Sequence, residues 1–250
     1  MPVSTRSSMR HATARLALTV SVTLLLLAAL ITQIASAESL PPRPGDRALG
    51  SGEAPITMVE YYSLDCPHCA NFHRDVFPKL KAQFIETGKV RYVFRDYPLS
   101  YAAVQAAILT HCAPPERFFA VIDALLKDVG AWSRAQSTVH AIAGVGAGVG
   151  VSAAQYQACL DGRVWERQVF ESQKYARDVL GVKATPTFFI NDQRLEGNLP
   201  FEALARGLNN MLEEIKRGDG NMTHTDQNSL VFGLALRRRA RASASLATSY

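Results

Sequence analysis

The body of this chain lacks net charge. The sequence has 27 Lys and Arg against 22 Asp and Glu, a formal +5 over 250 residues, but the excess sits at the two ends. Residues 1–37 contain Arg6, Arg10 and Arg15 and no acid, while residues 218–250 contain Arg237, Arg238, Arg239 and Arg241 against Asp219 and Asp226. Residues 38–217 hold 20 basic and 20 acidic side chains. A nucleic-acid partner would require a basic face on that body, and none is foreseen. Nor does the chain have the polar excess of a disordered protein, since 48% of its residues are hydrophobic and 20% charged, enough for a packed core. Other absences are local. No Cys stands at Ala35-Ser36-Ala37, which argues against a lipoprotein, and no Arg pair precedes the apolar run before it, which argues against twin-arginine export. The Gly144–Gly150 run is not followed by Lys-Ser/Thr, so it reads as a flexible helix connection and not as a phosphate loop.

What is present at the N-terminus reads as an export signal. Three arginines precede an apolar stretch from Leu16 to Ile31, and the small residues Ala35-Ser36-Ala37 follow it. An uncleaved membrane anchor is the alternative. Cleavage after residue 37 would leave an extended lead-in over 38–49, rich in proline. Residues 218–250 read as a disordered basic tail.

Between these ends the predicted order is strand, helix, strand, helical block, strand, hairpin strand, helix. Ile56–Ser63 alternates, with Ile56, Met58, Glu60 and Tyr62 on one face. A helix stripe follows at Phe72, Val76, Leu80 and Phe84, and then a second strand over 89–96. Strand character returns at Thr185–Ile190 and 194–196, before a closing helix over 201–216. Residues 50–98 and 181–217 thus form α/β material, and residues 99–180 an all-helical insertion.

Cys66-Pro67-His68-Cys69 sits where the first strand runs into the first helix. Ala70 stands where covalent haem attachment would need His, and Cys112 and Cys159 offer no second close pair for structural zinc. Redox chemistry remains as the favoured reading. At a helix N-terminus the unpaired N–H groups and the dipole stabilise a thiolate at Cys66, while Cys69, one turn in, is shielded. Capture of a metal by Cys66, Cys69 and His73 is the competing possibility.

The strand, the Cys-Pro-His-Cys motif, the embedded helical block and Ala184-Thr185-Pro186-Thr187-Phe188-Phe189 together resemble the DsbA family of thioredoxin-fold thiol:disulfide oxidoreductases, in particular the branch with a second Cys pair in the helical block. The likeness covers about residues 50–217. It implies an α/β thioredoxin-like fold with an inserted all-helical domain. Cys66 then corresponds to the exposed attacking cysteine and Cys69 to its buried partner. Pro186 matches a cis-proline beside the disulfide, with Thr185 before it offering its backbone to substrate. His68 tunes the Cys66 thiolate. Glu60 is a partly buried acid, its pKa raised, that relays protons to Cys69. His73 stands where familiar members carry a second acid, and Arg95 is a candidate basic partner on the neighbouring strand. Cys112 and Cys159 form a structural disulfide, with a redox-regulatory pair as the alternative, and His111 and His140 read as surface or cap residues.

The resemblance implies an exported, periplasmic oxidase that introduces disulfides into newly translocated proteins. It would work as a monomer without metal or diffusible cofactor and be reoxidised by a membrane quinone-linked partner of the DsbB kind. An isomerase or reductase on the same scaffold is the alternative, and a non-catalytic exported binding protein a more distant one.

Overall fold

The computed structural model describes residues 40–217. The export segment over 1–37, the first two residues of the lead-in and the tail over 218–250 lie outside the described residues. Among those described, no helix is long and apolar enough to cross a membrane.

A five-stranded sheet, in the order β1-β3-β2-β4-β5, carries the structure. Its strands are β1 (Arg47–Leu49), β2 (Ile56–Tyr62), β3 (Val90–Asp96), β4 (Thr187–Ile190) and β5 (Gln193–Glu196). β2 lies in the middle, parallel to β3 and antiparallel to β4. Its alternation explains that position: Ile56, Met58 and Tyr62 enter the larger core, and Val59 and Tyr61 a smaller core on the other face. A strand buried on both faces suits parallel pairing. The lead-in ends in regular structure not foreseen for it, because Arg47–Leu49 pair antiparallel with β3 as an edge strand.

The helical stripe after β2 is interrupted. Helix α1 (Pro67–Asp75) stops at Val76, α2 (Phe77–Leu80) follows, and the chain passes into a π-turn at Lys81–Ile85. Pro78 accounts for the break: it has no N–H to donate, and in an unbroken helix its ring would press on the carbonyl of Arg74. All four stripe residues are buried nonetheless.

The helical block comprises α3 (Tyr101–Cys112), α4 (Phe118–Lys127), α5 (Val129–Ser133), α6 (Thr138–Gly148), α7 (Ala153–Gly162) and α8 (Val164–Asp178), and α9 (Phe201–Arg217) closes the chain. Helix α3 begins at Ser100, whose side chain accepts the Ala103 N–H at 3.1 Å. It is buried on nearly all sides, as the hub against which α4, α6, α7 and α8 pack. Helix α6 runs through most of the glycine run expected to be a flexible connection. A Cβ on Gly146 would lie 2.8 Å from Leu109 Cδ1, so the small residue permits α6 to lie close on α3. Tertiary packing here outweighs glycine's poor helix propensity. Finally, α8 returns to the sheet and sets Ala176 in the smaller core. The whole is a thioredoxin-like α/β layer interrupted between β3 and β4 by an all-helical insertion.

Cys112 and Cys159 are disulfide-bonded with Cα atoms 6.0 Å apart, joining the end of α3 to α7 across 47 positions. Opening that loop frees the unfolded chain by about 4 kcal/mol in the loop-entropy account. A Cys112→Ser/Cys159→Ser double variant is therefore expected to lose about that much stability in urea unfolding. An unchanged midpoint would show that the bond is not a staple.

Candidate active site

Cys66 is the N-cap of α1. Its backbone is extended (φ −86°, ψ 119°), and Pro67 occupies the first turn, where a missing N–H costs nothing. The N–H groups at the start of the helix are therefore free for the Cys66 sulfur. The thiol faces the Thr185 carbonyl at 3.3 Å, and the Thr185–Pro186 peptide is cis. The insertion thus separates the two halves of the site by more than a hundred residues, yet β4 pairing with β2 returns Thr185 to Cys66.

A hydrogen bond from the Cys69 thiol, helped by Thr185 and the backbone N–H groups of Cys69 and His68, lowers the Cys66 pKa from 9.0 to about 5 against the opposing effect of burial. Cys69 goes the other way. Burial above all, then its hydrogen bond to Cys66 and the charge of Glu60, push it well above the usual thiol range. Two cysteines three residues apart are thereby poised as a thiolate and a thiol.

One expectation for Cys66 needs correction. The residue is only 4% exposed, because its sulfur is turned inward between Cys69 and Thr185. His68 is exposed and brings its backbone N–H to the sulfur.

Glu60 is wholly buried, not partly, on the core face of β2. Its Oε2 accepts from the Tyr92 hydroxyl at 2.7 Å and lies 2.9 Å from His73 Nε2, while Oε1 has no partner in the protein. The histidine ring sits among Tyr62, Phe72, Phe77 and Phe94. Arg95, the candidate basic partner, is elsewhere. Phe94 opposes Glu60 in the register of β2 and β3, so Arg95 points to the other face. There it pairs with Asp46 at 2.8 Å and donates to the Pro41 carbonyl and the Tyr61 hydroxyl. The basic partner of Glu60 is His73, four positions after Cys69 and so on the same side of α1. Tyr92 was not anticipated. Its signal was available, since it shares a strand face with Val90 and Phe94.

His111 is buried, contrary to the surface or cap reading, with Nε2 2.6 Å from Asp96 and its ring stacked on Trp165. His140 is exposed. A groove of about 450 Å³ runs between α1 and α4, lined among others by His73, Arg74, Lys81, Asp123 and Lys127.

Comparison with known proteins agrees with this geometry. A family model described as thioredoxin matches residues 43–210. A relative from Rickettsia bellii, provisionally named protein-disulfide oxidoreductase, is 29% identical over 172 residues, covering 68% of this chain and 66% of its own length. The chain thus spans just under two thirds of that relative. Among solved structures, alpha-DsbA1 of Wolbachia pipientis is 30% identical with a TM-score of 0.67, over 73% of this chain and 99% of that one. BdbD of Bacillus subtilis, at 22% identity and a TM-score of 0.63 over 70% of this chain and 97% of that one, shares the fold.

Proposed function

The chain belongs to the thioredoxin family, among its DsbA-like members, and on that premise we propose that it is an exported thiol:disulfide oxidoreductase working as a protein-disulfide oxidase. In its oxidised form, Cys66 and Cys69 are joined. A substrate thiolate attacks the Cys66 sulfur, the S–S bond breaks, and Cys69 leaves with the electron pair and takes up a proton. The mixed disulfide between Cys66 and substrate is then attacked, at the substrate sulfur, by a second substrate thiolate. Substrate departs with a disulfide and two electrons fewer, and the enzyme is left with a Cys66 thiolate and a Cys69 thiol. A membrane quinone-linked partner of the DsbB kind takes the two electrons and restores the bond.

The observation that carries this reading is the placement of the Cys66 sulfur at the start of α1, 3.3 Å from the Thr185 carbonyl. Stabilising the thiolate stabilises the reduced form, and that makes the disulfide a stronger oxidant. Thr185 and Pro186 supply the wall against which an extended substrate segment lies, and His68 stands at the exposed rim. Glu60, buried near Cys69, is the group that supplies or removes the Cys69 proton. The bond between Cys112 and Cys159 serves as a structural staple. The chemistry needs no metal or diffusible cofactor. The Leu16–Ile31 segment directs export, which places the working protein in the periplasm, and the protein acts as a monomer on newly exported chains.

The reduction potential of the Cys66–Cys69 pair tests the direction of the reaction. A Cys66 pKa of about 5 lies about 2 units below the thioredoxin thiol, worth about 60 mV. The expected potential is therefore about −210 mV, more oxidising than thioredoxin and less so than the roughly −120 mV of DsbA itself. A value at thioredoxin's roughly −270 mV would replace the oxidase by a reductase.

A further inference from the structure

The groove between α1 and α4 has no part in the proposed reaction. Thr185 and Pro186, against which substrate lies, do not line it, and neither does any residue of the closing helix α9. Its volume of about 450 Å³ falls within the roughly 300–1,000 Å³ of sites for small organic molecules. The walls are largely apolar: Ala70 from α1, Phe77 and Pro78 from α2, Phe119 and Leu126 from α4, and Leu49 from β1.

The charges around these walls do not balance. Arg74, Lys81 and Lys127, all exposed, stand against Asp123 alone, and His73 is turned to Glu60. Arg74 and Lys81 each hold an acid on their own segment, Asp75 at 2.8 Å and Glu86 at 3.7 Å, in exposed pairs that contribute little. Lys127 has no ion-pair partner among the described residues. An apolar trough edged by surplus positive charge is complementary to a molecule with an apolar body and a negative end.

We propose that this groove binds a single-chain amphiphile with an anionic head, of the alkyl-carboxylate class, with its chain laid between α1 and α4 and its head held by Lys81 and Lys127. The α4 wall from Phe119 to Lys127 runs about 12 Å at the helical rise, which suits one extended alkyl chain and is short for a partner's helix. The segments of this chain outside the described residues are the wrong occupants, because residues 1–37 and 218–250 both carry more arginine than acid and share the sign of the groove. The site goes beyond the oxidoreductase reading and does not depend on the reactivity of Cys66.

Isothermal titration calorimetry of the full chain with monomeric octanoate, decanoate and dodecanoate tests it. One-to-one binding is expected, tightening about threefold with each methylene buried. Dodecyltrimethylammonium, with the same chain and the opposite head, is expected to bind at least about tenfold more weakly than dodecanoate. The preference should invert in Lys81→Glu/Lys127→Glu, with dodecanoate about tenfold weaker and the cation tighter than in wild type. Because inversion requires one ligand to bind better than before, misfolding cannot imitate it, and if the double variant does not fold, the comparison of heads on wild type decides alone. Equal affinity of wild type for both heads, or an unchanged preference in the folded double variant, overturns the site. So does binding confined to vesicles of anionic lipid, with none to the monomeric carboxylate. Dodecanoate that competes with a peptide dithiol for the oxidised protein would put it in the substrate's place and overturn a separate site. A chain that binds dodecanoate as expected but oxidises no dithiol keeps the site and loses the proposed function.

Discussion

Replacing Cys66 by alanine abolishes the oxidation of peptide dithiols, while replacing Cys69 by alanine leaves a protein that attacks a disulfide-containing partner and cannot expel it by closing its own disulfide. The two outcomes differ because the two sulfurs differ. The sulfur at the helix start is the one attacked, and no other thiol among the described residues can replace it, since Cys69 is wholly buried and Cys112 and Cys159 are bonded to each other. Without it, the rate of dithiol oxidation is expected to fall to the uncatalysed background. Cys69→Ala keeps the sulfur at position 66, which as a thiolate can attack a disulfide, but lacks the neighbouring thiol that in this reverse direction would displace the partner by re-forming the Cys66–Cys69 bond. Offered a disulfide-containing peptide, it should accumulate a one-to-one covalent adduct that mass spectrometry detects. Losing Cys69 also removes the largest influence holding the Cys66 pKa at about 5, so the pH at which Cys66 is half-alkylated should rise. Dithiol oxidation that survives Cys66→Ala would overturn the assignment.

The second large effect reverses the usual order of stability, in which a disulfide strengthens a fold. Joining Cys66 and Cys69 closes a loop of only four residues, worth about 2 kcal/mol in the loop-entropy account. Against this stands the Cys66 thiolate, available only in the reduced form. A thiol whose folded pKa is about 5 and whose ordinary value is 9.0 contributes stability that is complete above pH 9 and lost as pH falls through 5. At pH 7 that contribution is about 3 kcal/mol, at pH 8 about 4, and at pH 5 below about 0.5. The residue is 4% exposed, so little of this is screened by solvent. The reduced form is therefore expected to be the more stable above about pH 6.5 and the disulfide form below it. Urea unfolding of both forms from pH 5 to 8, in a Cys112→Ser/Cys159→Ser background so that only one pair changes state, measures the crossing. A disulfide form more stable throughout would mean that Cys66 titrates near its ordinary value.

How much of this was legible in the residues varies with the range of the interaction. The alternation in Ile56–Tyr62 and the motif after it placed strand, turn and helix, since each depends on near neighbours. Thr185-Pro186 was legible as a motif, but its approach to Cys66 needed the pairing of β4 with β2. Arg95 shows what pattern alone misses. It is near Glu60 in the sheet but one residue out of phase, and only the register puts Phe94 opposite Glu60 and turns Arg95 away. His73 carried a usable signal in its four-residue spacing from Cys69, which sets both on one helix face. The glycine run was misread because its helix depends on Leu109, far away in the chain. The break before Pro78, by contrast, could have been foreseen from the imino acid itself.

The sheet ends at both sides on very short strands: three residues in β1 and four in β5. An open edge presents unpaired N–H and C=O groups, and a long, flat one recruits any extended chain that meets it. A protein proposed to spend its time among unfolded chains would be unusually exposed to that hazard. With edges this short, a captured chain finds little backbone to zip onto, and the bond at Cys66 is the chief tether. When that bond is exchanged, the client is free to leave and fold, and the handler is not drawn into its aggregation.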